Sequence, residues 1–174
     1  MPSPPPILIS SRDIQDRVSE LGRMINTAYP PNRSLVLIGV LRGAVYFLAD
    51  LSRSITRSIE IDFISVSSYA GTQSTGKITL HQDIAIDIEN KDILIVEDIV
   101  DTGRTLNALI QHFVQKKPRS IKTCTFLDKP SRREVSVPTH YSGFRIPDHF
   151  VVGYGLDYEQ AYRNLPYVGT LPSI

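Results

Sequence analysis

Apolar residues at Ile14, Val18, Leu21, Ile25 and Ala28 recur at the spacing of one helix face. Ser10 and Asp13 fit a capping pattern ahead of this stripe, and Pro30-Pro31 ends it. The pattern then changes. Leu35 to Leu41 is a continuous apolar run bounded by turn residues, which suits a strand covered on both faces of a parallel sheet. Ala44, Val45, Phe47, Leu48 and Leu51 follow Gly43 and predict a crossover helix. A second strand is predicted around Ile59 to Val66, and a third over Ile93 to Val96, running into the acidic pair Glu97-Asp98. After a turn at Gly103, Leu106, Leu109, Ile110, Phe113 and Val114 mark another helix stripe. Ile121 to Leu127 and Phe150 to Gly153 are later strand candidates. Strand and helix in alternation predict an α/β fold, a mainly parallel twisted sheet flanked by helices.

At 174 residues the chain matches one domain of the usual size of about 150, and no composition shift marks a boundary within 1–174. Residues 1–6 are proline-rich and expected to be extended or frayed. Lys and Arg number 19 against 18 Asp and Glu, a net charge of +1 that gives little bulk grip on nucleic acid. Anion binding must then be local. Cys124 is the single cysteine, so there is no disulfide framework and no CxxC zinc site. The start Met-Pro-Ser-Pro-Pro-Pro lacks the charged and apolar regions of a signal peptide, and the run 35–41 is too short to span a bilayer. A cytoplasmic protein with no membrane partner is expected.

The chemistry concentrates in Glu97-Asp98-Ile99-Val100-Asp101-Thr102-Gly103-Arg104-Thr105. A buried strand delivers this segment to the carboxyl edge of the sheet, where open α/β folds bind ligands. Thr102 to Thr105 then open a helix, whose free N–H groups and positive dipole end suit a phosphate. Three carboxylates beside a phosphate cradle would repel the anion unless they hold hydroxyls or a divalent cation. Phosphate, polyol and metal together describe a phosphorylated sugar. The alternative is an acidic turn whose charges merely meet the helix dipole.

Val96 to Thr105 resembles the phosphoribosyl-pyrophosphate motif of type I phosphoribosyltransferases. Leu41-Arg42-Gly43, Ser68-Tyr69 with Gln73-Ser74-Thr75-Gly76, Lys129, Ile146-Pro147-Asp148, Phe150 to Tyr154, Leu156-Asp157-Tyr158 and Arg163 resemble the hypoxanthine-guanine branch of that family. The similarity spans roughly residues 35–168. It implies transfer of a 5-phosphoribosyl group from phosphoribosyl pyrophosphate to a 6-oxopurine base, through a transition state of oxocarbenium character.

By that resemblance, Thr102, Gly103, Arg104 and Thr105 hold the 5-phosphate, and Glu97 and Asp98 lie against the ribose hydroxyls and magnesium. Asp101 faces N7 of the purine, as proton acceptor or as electrostatic stabiliser of positive charge. Arg42 and Gly43 correspond to the pyrophosphate loop, where a non-proline cis peptide is usual. Arg42 stands where several family members carry Lys, and a backbone contact there makes the exchange tolerable. Ser68, Tyr69 and Arg163 are implied pyrophosphate contacts. Lys129 would donate to the 6-oxo group, Phe150 would stack on the base, the Val151 backbone would read its edge, and Asp157 would meet a second magnesium. Taken alone, Lys129 before Pro130 reads as a surface lysine and Phe150 as a core aromatic. The implied cofactor is Mg2+, and the implied assembly a homodimer or homotetramer.

Residues 68–80 are expected to form a mobile active-site lid that excludes water, and 129–174 a base-binding hood. Gly71 to Lys77 imitates the Walker A spacing, but Ile78 stands where a Ser or Thr is required, and residues 78–88 lack a helical stripe. His81, His112, His140 and His149 show no metal-ligand spacing, and Cys124 suits a small buried hydrophobe. Two alternatives remain: the same reaction with xanthine, or a phosphoribosyltransferase-like regulator that binds nucleic acid.

Overall fold

Ser10 caps helix α1 (Ser11–Ala28), its hydroxyl accepting from the Asp13 N–H at 3.1 Å, an interaction worth about 1 kcal/mol. The predicted stripe is the buried face as far as Ile25, with Ile14, Val18, Leu21 and Ile25 all inside, whereas Ala28 at the helix end is exposed. The computed structural model describes residues 4–68 and 78–172. Strand β1 (Ile7–Ile9) precedes α1. Then come β2 (Leu35–Leu41), α2 (Val45–Ser54), β3 (Glu60–Ser68), β4 (Ile78–Gln82), β5 (Asp92–Val100), α3 (Arg104–Val114), β6 (Ser120–Asp128), β7 (Tyr141–Arg145), β8 (Phe150–Val152) and β9 (Val168–Leu171).

Six strands form the main sheet in the order β4-β3-β2-β5-β6-β7. Only the β3–β4 pair is antiparallel. Alternate residues of β2 serve two cores. Leu35 and Leu37 pack in the cluster with α1 and α2, whereas Val36, Ile38 and Val40 pack with Leu106, Leu109 and Phe113 of α3. A strand buried on both faces must be apolar throughout, which is why the run 35–41 shows no alternation. The chain leaves β2 toward β3 on one side and returns to β5 on the other. The crevice at the carboxyl ends of β2 and β5 is therefore the topological switch point.

Four expectations need correction. Strand β5 does not stop at Val96. It continues to Val100, with Glu97 opposite Thr125 and Ile99 opposite Leu127. Ser68 ends β3 and Ile78 to Leu80 belong to β4, so the span 68–80 is not one loop; 69–77 lie outside the described residues. The region 129–174 is not a single hood, because β7 joins the main sheet beside β6 while β9 pairs with both β1 and β8 in a separate three-stranded sheet. The N-terminal tail is not frayed from Pro5 onward: Pro5 is buried, and the Pro6 carbonyl accepts from the Thr170 N–H at 3.0 Å.

The segment after the Walker-like stretch is a strand, as its lack of a helical stripe predicted. Among the described residues no helix is long and apolar enough to cross a membrane. His81 contacts Ser67, His112 contacts Asp83 and His140 contacts Thr123, which accounts for three of the four histidines locally. Cys124 is fully buried.

Candidate active site

The end of β5 and the start of α3 enclose a cleft of about 320 Å³ lined by Glu97 to Gly103, Thr105 and Leu106. It forms because the strand ends at Val100 and the chain turns through Gly103 at φ +85° before entering the helix. A side chain at Gly103 would also meet the Val135 carbonyl, so only glycine fits this turn. Thr102 Oγ1 accepts from the Arg104 N–H at 3.3 Å, and the Thr102 carbonyl accepts from Glu134 and Val135 N–H, each at 3.0 Å. The Arg104 guanidinium turns to Glu134 at 2.5 Å.

Glu97 is 7% exposed, and its Oε2 has no hydrogen-bond partner among the described residues. Asp98 abuts Gly43 so closely that a β-carbon there would overlap its carboxylate. The Leu41–Arg42 peptide before it is cis, as the resemblance implied. On the far side, Asp157 Oδ1 pairs with Arg163 Nη2 at 2.8 Å, and Asp157 Oδ2 accepts from the Gln160 N–H at 2.9 Å. Gln160 Oε1 accepts from both Arg42 Nη1 (3.1 Å) and Arg163 Nη2 (3.2 Å), joining two arginines that lie 121 positions apart in sequence, 163 minus 42. Arg163 Nη1 also donates to the Gly155 carbonyl at 2.7 Å.

The pairing of β5 with β6 sets Val100 opposite Asp128, so Asp101 and Lys129 follow as the next level. The Lys129 N–H donates to the Val100 carbonyl at 3.0 Å, fixing that step. Lys129 is buried and its Nζ lies 3.5 Å from Asp148 Oδ1. Phe150 is 43% exposed and meets Tyr158 edge-on, centroids 5.6 Å apart, while Val151 is buried opposite Thr170. Ser68 ends β3 three residues beyond Ser65, the partner of Leu41; Tyr69 lies outside the described residues.

A phosphoribosyl transferase domain model matches residues 10–159. The chain belongs to the phosphoribosyltransferase family. It is 48% identical over 166 residues to a hypoxanthine-guanine phosphoribosyltransferase of Staphylococcus epidermidis, covering 95% of this chain and 92% of that one. It is likewise 48% identical to the hypoxanthine phosphoribosyltransferase of Escherichia coli, over 94% of this chain and 93% of the relative. A crystal structure of a hypoxanthine-guanine phosphoribosyltransferase from Bacillus anthracis superposes with a TM-score of 0.92 at 46% identity, covering 95% of this chain and 98% of the other.

Within this phosphoribosyltransferase, the donor set at the cleft is all carboxylate oxygen, which suits a hard divalent cation. Glu97 Oε2, buried and unpartnered, is the kind of atom such an ion would satisfy. No group of three or more acidic, His or Cys residues forms a ready cage among the described residues. Glu97, Asp98 and Asp157 therefore do not constitute one ligand set. Ions that keep water and substrate oxygens as ligands need only one or two protein carboxylates.

The sequence pattern missed Arg132, Arg133 and Gln160 as parts of the phosphoribosyltransferase cleft, and gave Asp148 only within the Ile146-Pro147-Asp148 match, without a role. Arg132 Nε donates to Asp101 Oδ1 at 3.0 Å, and Arg133 Nε donates to the Asp101 carbonyl at 3.2 Å. The only local signal was a doubled arginine shortly after Lys129.

Burial pushes the Glu97 carboxyl well above the usual range, with the neighbouring Asp98 charge adding to it. Burial likewise pushes Asp98 up to about 6, opposed by the Ile99 N–H and the Arg163 charge and reinforced by Asp157. Between the ordinary aspartate value of 3.8 and about 6, the folded state thus binds more protons than the unfolded chain. Stability from Asp98 falls as pH rises through that window. Metal-free protein compared with Asp98→Asn should show it. The melting temperature of the unmutated chain, relative to the variant, drops as pH rises from about 4 to 6 and flattens once Asp98 has ionised. A difference that is constant with pH, or that grows, contradicts this account.

Proposed function

We propose that the chain transfers the 5-phosphoribosyl group of phosphoribosyl pyrophosphate to hypoxanthine, and to guanine, giving IMP or GMP and pyrophosphate. The observation that supports this is the β5–β6 register: Val100 lies opposite Asp128, so Asp101, which lines the cleft with Thr102, Gly103 and Thr105, and Lys129 leave neighbouring strands at the same level. The relatives named above carry hypoxanthine in their names, which favours neither xanthine nor a regulatory nucleic-acid-binding role.

The helix N-terminus at α3 binds the 5-phosphate through backbone N–H groups and the Thr102 and Thr105 hydroxyls. Glu97 and Asp98 receive the ribose hydroxyls. Arg42, Gly43 and Arg163, with Ser68 and Tyr69, take the pyrophosphate. As the bond from C1′ to pyrophosphate lengthens, positive charge grows on the sugar. Asp101 lies where it can stabilise that charge or accept the proton leaving N7 while N9 bonds to C1′. Lys129 donates to the 6-oxo oxygen, Phe150 stacks on the ring and the Val151 backbone reads its edge. The metal we assign is Mg2+, at two sites: Glu97 and Asp98 would hold one ion on the ribose side, and Asp157 would meet a second. Its charge would neutralise the pyrophosphate as it leaves.

The protein is proposed to work in the cytoplasm as a homodimer or homotetramer. Val45 and Tyr46, 38% and 43% exposed, follow directly after the pyrophosphate loop and give a subunit contact apolar surface.

The test is product formation from phosphoribosyl pyrophosphate, magnesium and each of hypoxanthine, guanine, xanthine, adenine and uracil. Hypoxanthine or guanine should be the best acceptor, and adenine or uracil as the best acceptor overturns the assignment. Lys129→Met should lower kcat/KM for hypoxanthine by about tenfold or more, because the charged donor to the 6-oxo group is gone. Adenine, whose 6-amino group is itself a donor, should gain relative to hypoxanthine in the same variant. Unchanged discrimination would remove Lys129 from base recognition.

A further inference from the structure

We propose that Arg132 is a positioning residue that keeps Lys129 free to read the base, by competing for the carboxylate that would otherwise capture it. This rests on the phosphoribosyl-transfer reading above. Four charges alternate around the mouth of the cleft. Arg132 Nε donates to Asp101 Oδ1 at 3.0 Å, and Arg132 Nη1 donates to Asp148 Oδ2 at 3.3 Å. The other oxygen of Asp148 faces Lys129 Nζ at 3.5 Å. Arg132 thus touches the carboxylate proposed to serve N7 and the carboxylate that pairs with the 6-oxo donor.

The geometry depends on a guanidinium. Its Nε and Nη1 diverge in a rigid plane and reach two different acceptors at once, which a single ammonium does less well. Its backbone is set by the 3-10 turn Pro130–Arg132, closed by the Arg132 N–H donating to the Lys129 carbonyl at 3.1 Å. The turn therefore carries Lys129 and Arg132 as one unit.

Stability does not explain the arrangement. Arg132, Asp101 and Asp148 have side chains 48%, 40% and 50% exposed, and ion pairs so exposed contribute little to folding. Lys129 differs, its side chain being only 9% exposed. A buried ammonium seeks the nearest carboxylate, and Asp148 is the one beside it. Because Asp148 is shared with Arg132, the Lys129 contact stays long, and its N–H groups remain available to a 6-oxo oxygen. Without Arg132, Asp148 closes on Lys129 and the base must break that pair to bind.

The experiment is steady-state kinetics on Arg132→Met, Arg132→Gln and Asp148→Asn, and on the doubles Arg132→Met/Asp148→Asn and Arg132→Gln/Asp148→Asn. Each Arg132 variant should raise KM for hypoxanthine about tenfold, the weight of one hydrogen bond from a charged donor. KM for phosphoribosyl pyrophosphate should stay within about twofold, since this contact lies on the base side. Asp148→Asn should return KM for hypoxanthine toward the unmutated value in either Arg132 background. Arg132→Gln keeps the proposal testable if the methionine variant folds poorly. An unchanged KM for hypoxanthine, an equal rise for both substrates, or doubles no better than the singles each overturns it. Absence of turnover in the unmutated protein would instead defeat the reading on which it rests.

Discussion

Gly43→Ala is expected to cut turnover about a hundredfold while the chain still folds, because a displacement of about 1 Å in positioning groups can cost that much. A β-carbon at Gly43 would overlap Asp98 Oδ2, with Cγ close behind. Asp98 has nowhere to retreat. Its backbone belongs to β5, whose residues on either side of it, Glu97 and Ile99, pair with Thr125 and Leu127 of β6, and its Oδ1 accepts from the Ile99 N–H at 2.9 Å. The loop cannot easily give way either, since the Ala44 N–H donates to Val40 and the Val45 N–H to Arg42, each at 3.3 Å. Either the carboxylate proposed for the ribose and its metal shifts, or the loop proposed for pyrophosphate does. Gly43 stands outside both hydrophobic clusters, so the melting transition should persist. Near-normal kcat/KM for both substrates in a folded Gly43→Ala protein would show that this contact does not set the site geometry.

The elements legible in the sequence were those whose local pattern and tertiary environment agree. Helices α1 and α3 each bury one stripe, and β2 is covered on both faces, so periodicity alone found them. Strand β5 was read too short because Glu97 and Asp98 look like the end of a buried strand. Ladder pairing with β6 overrides that local preference at the place where function needs carboxylates. Strand β1 is three residues long and pairs only with the four-residue β9, from far along the chain, Ile7 opposite Gly169. No window of sequence carries that information. Strand β7 alternates weakly, and its place beside β6 comes from a parallel return without an intervening α-helix.

The candidate site divides in the same way. Glu97 to Thr105 is contiguous, so strand, turn and helix tip could be read in order. The links that complete the cleft are tertiary. Gln160 bridges Arg42 and Arg163 from a backbone position at φ +66°, and neither that conformation nor that pairing leaves a mark on composition. Arg132 reaches Asp101 across 31 positions through the turn after β6.

Asp101→Asn is expected to lower kcat by about 10²–10³, the range for a positioned acid–base group. The substitution is close to isosteric, and the carboxamide oxygen can still accept from Arg132, so that contact and the Arg133 bond to the Asp101 carbonyl should survive. What disappears is the negative charge at the end of β5. Two causes of the loss make opposite forecasts. If the carboxylate takes the N7 proton, a purine analogue already ionised at the assay pH has no proton to give up, and the variant should regain much of its rate with that acceptor. If the carboxylate chiefly offsets positive charge on the sugar, the ionised analogue leaves the deficit in place. The β5–β6 register favours the first outcome, because it sets Asp101 level with Lys129, on the side where the base is read. Asp98 and Glu97, earlier on the same strand, are the carboxylates we place against the ribose. Full activity of Asp101→Asn with hypoxanthine would exclude both roles.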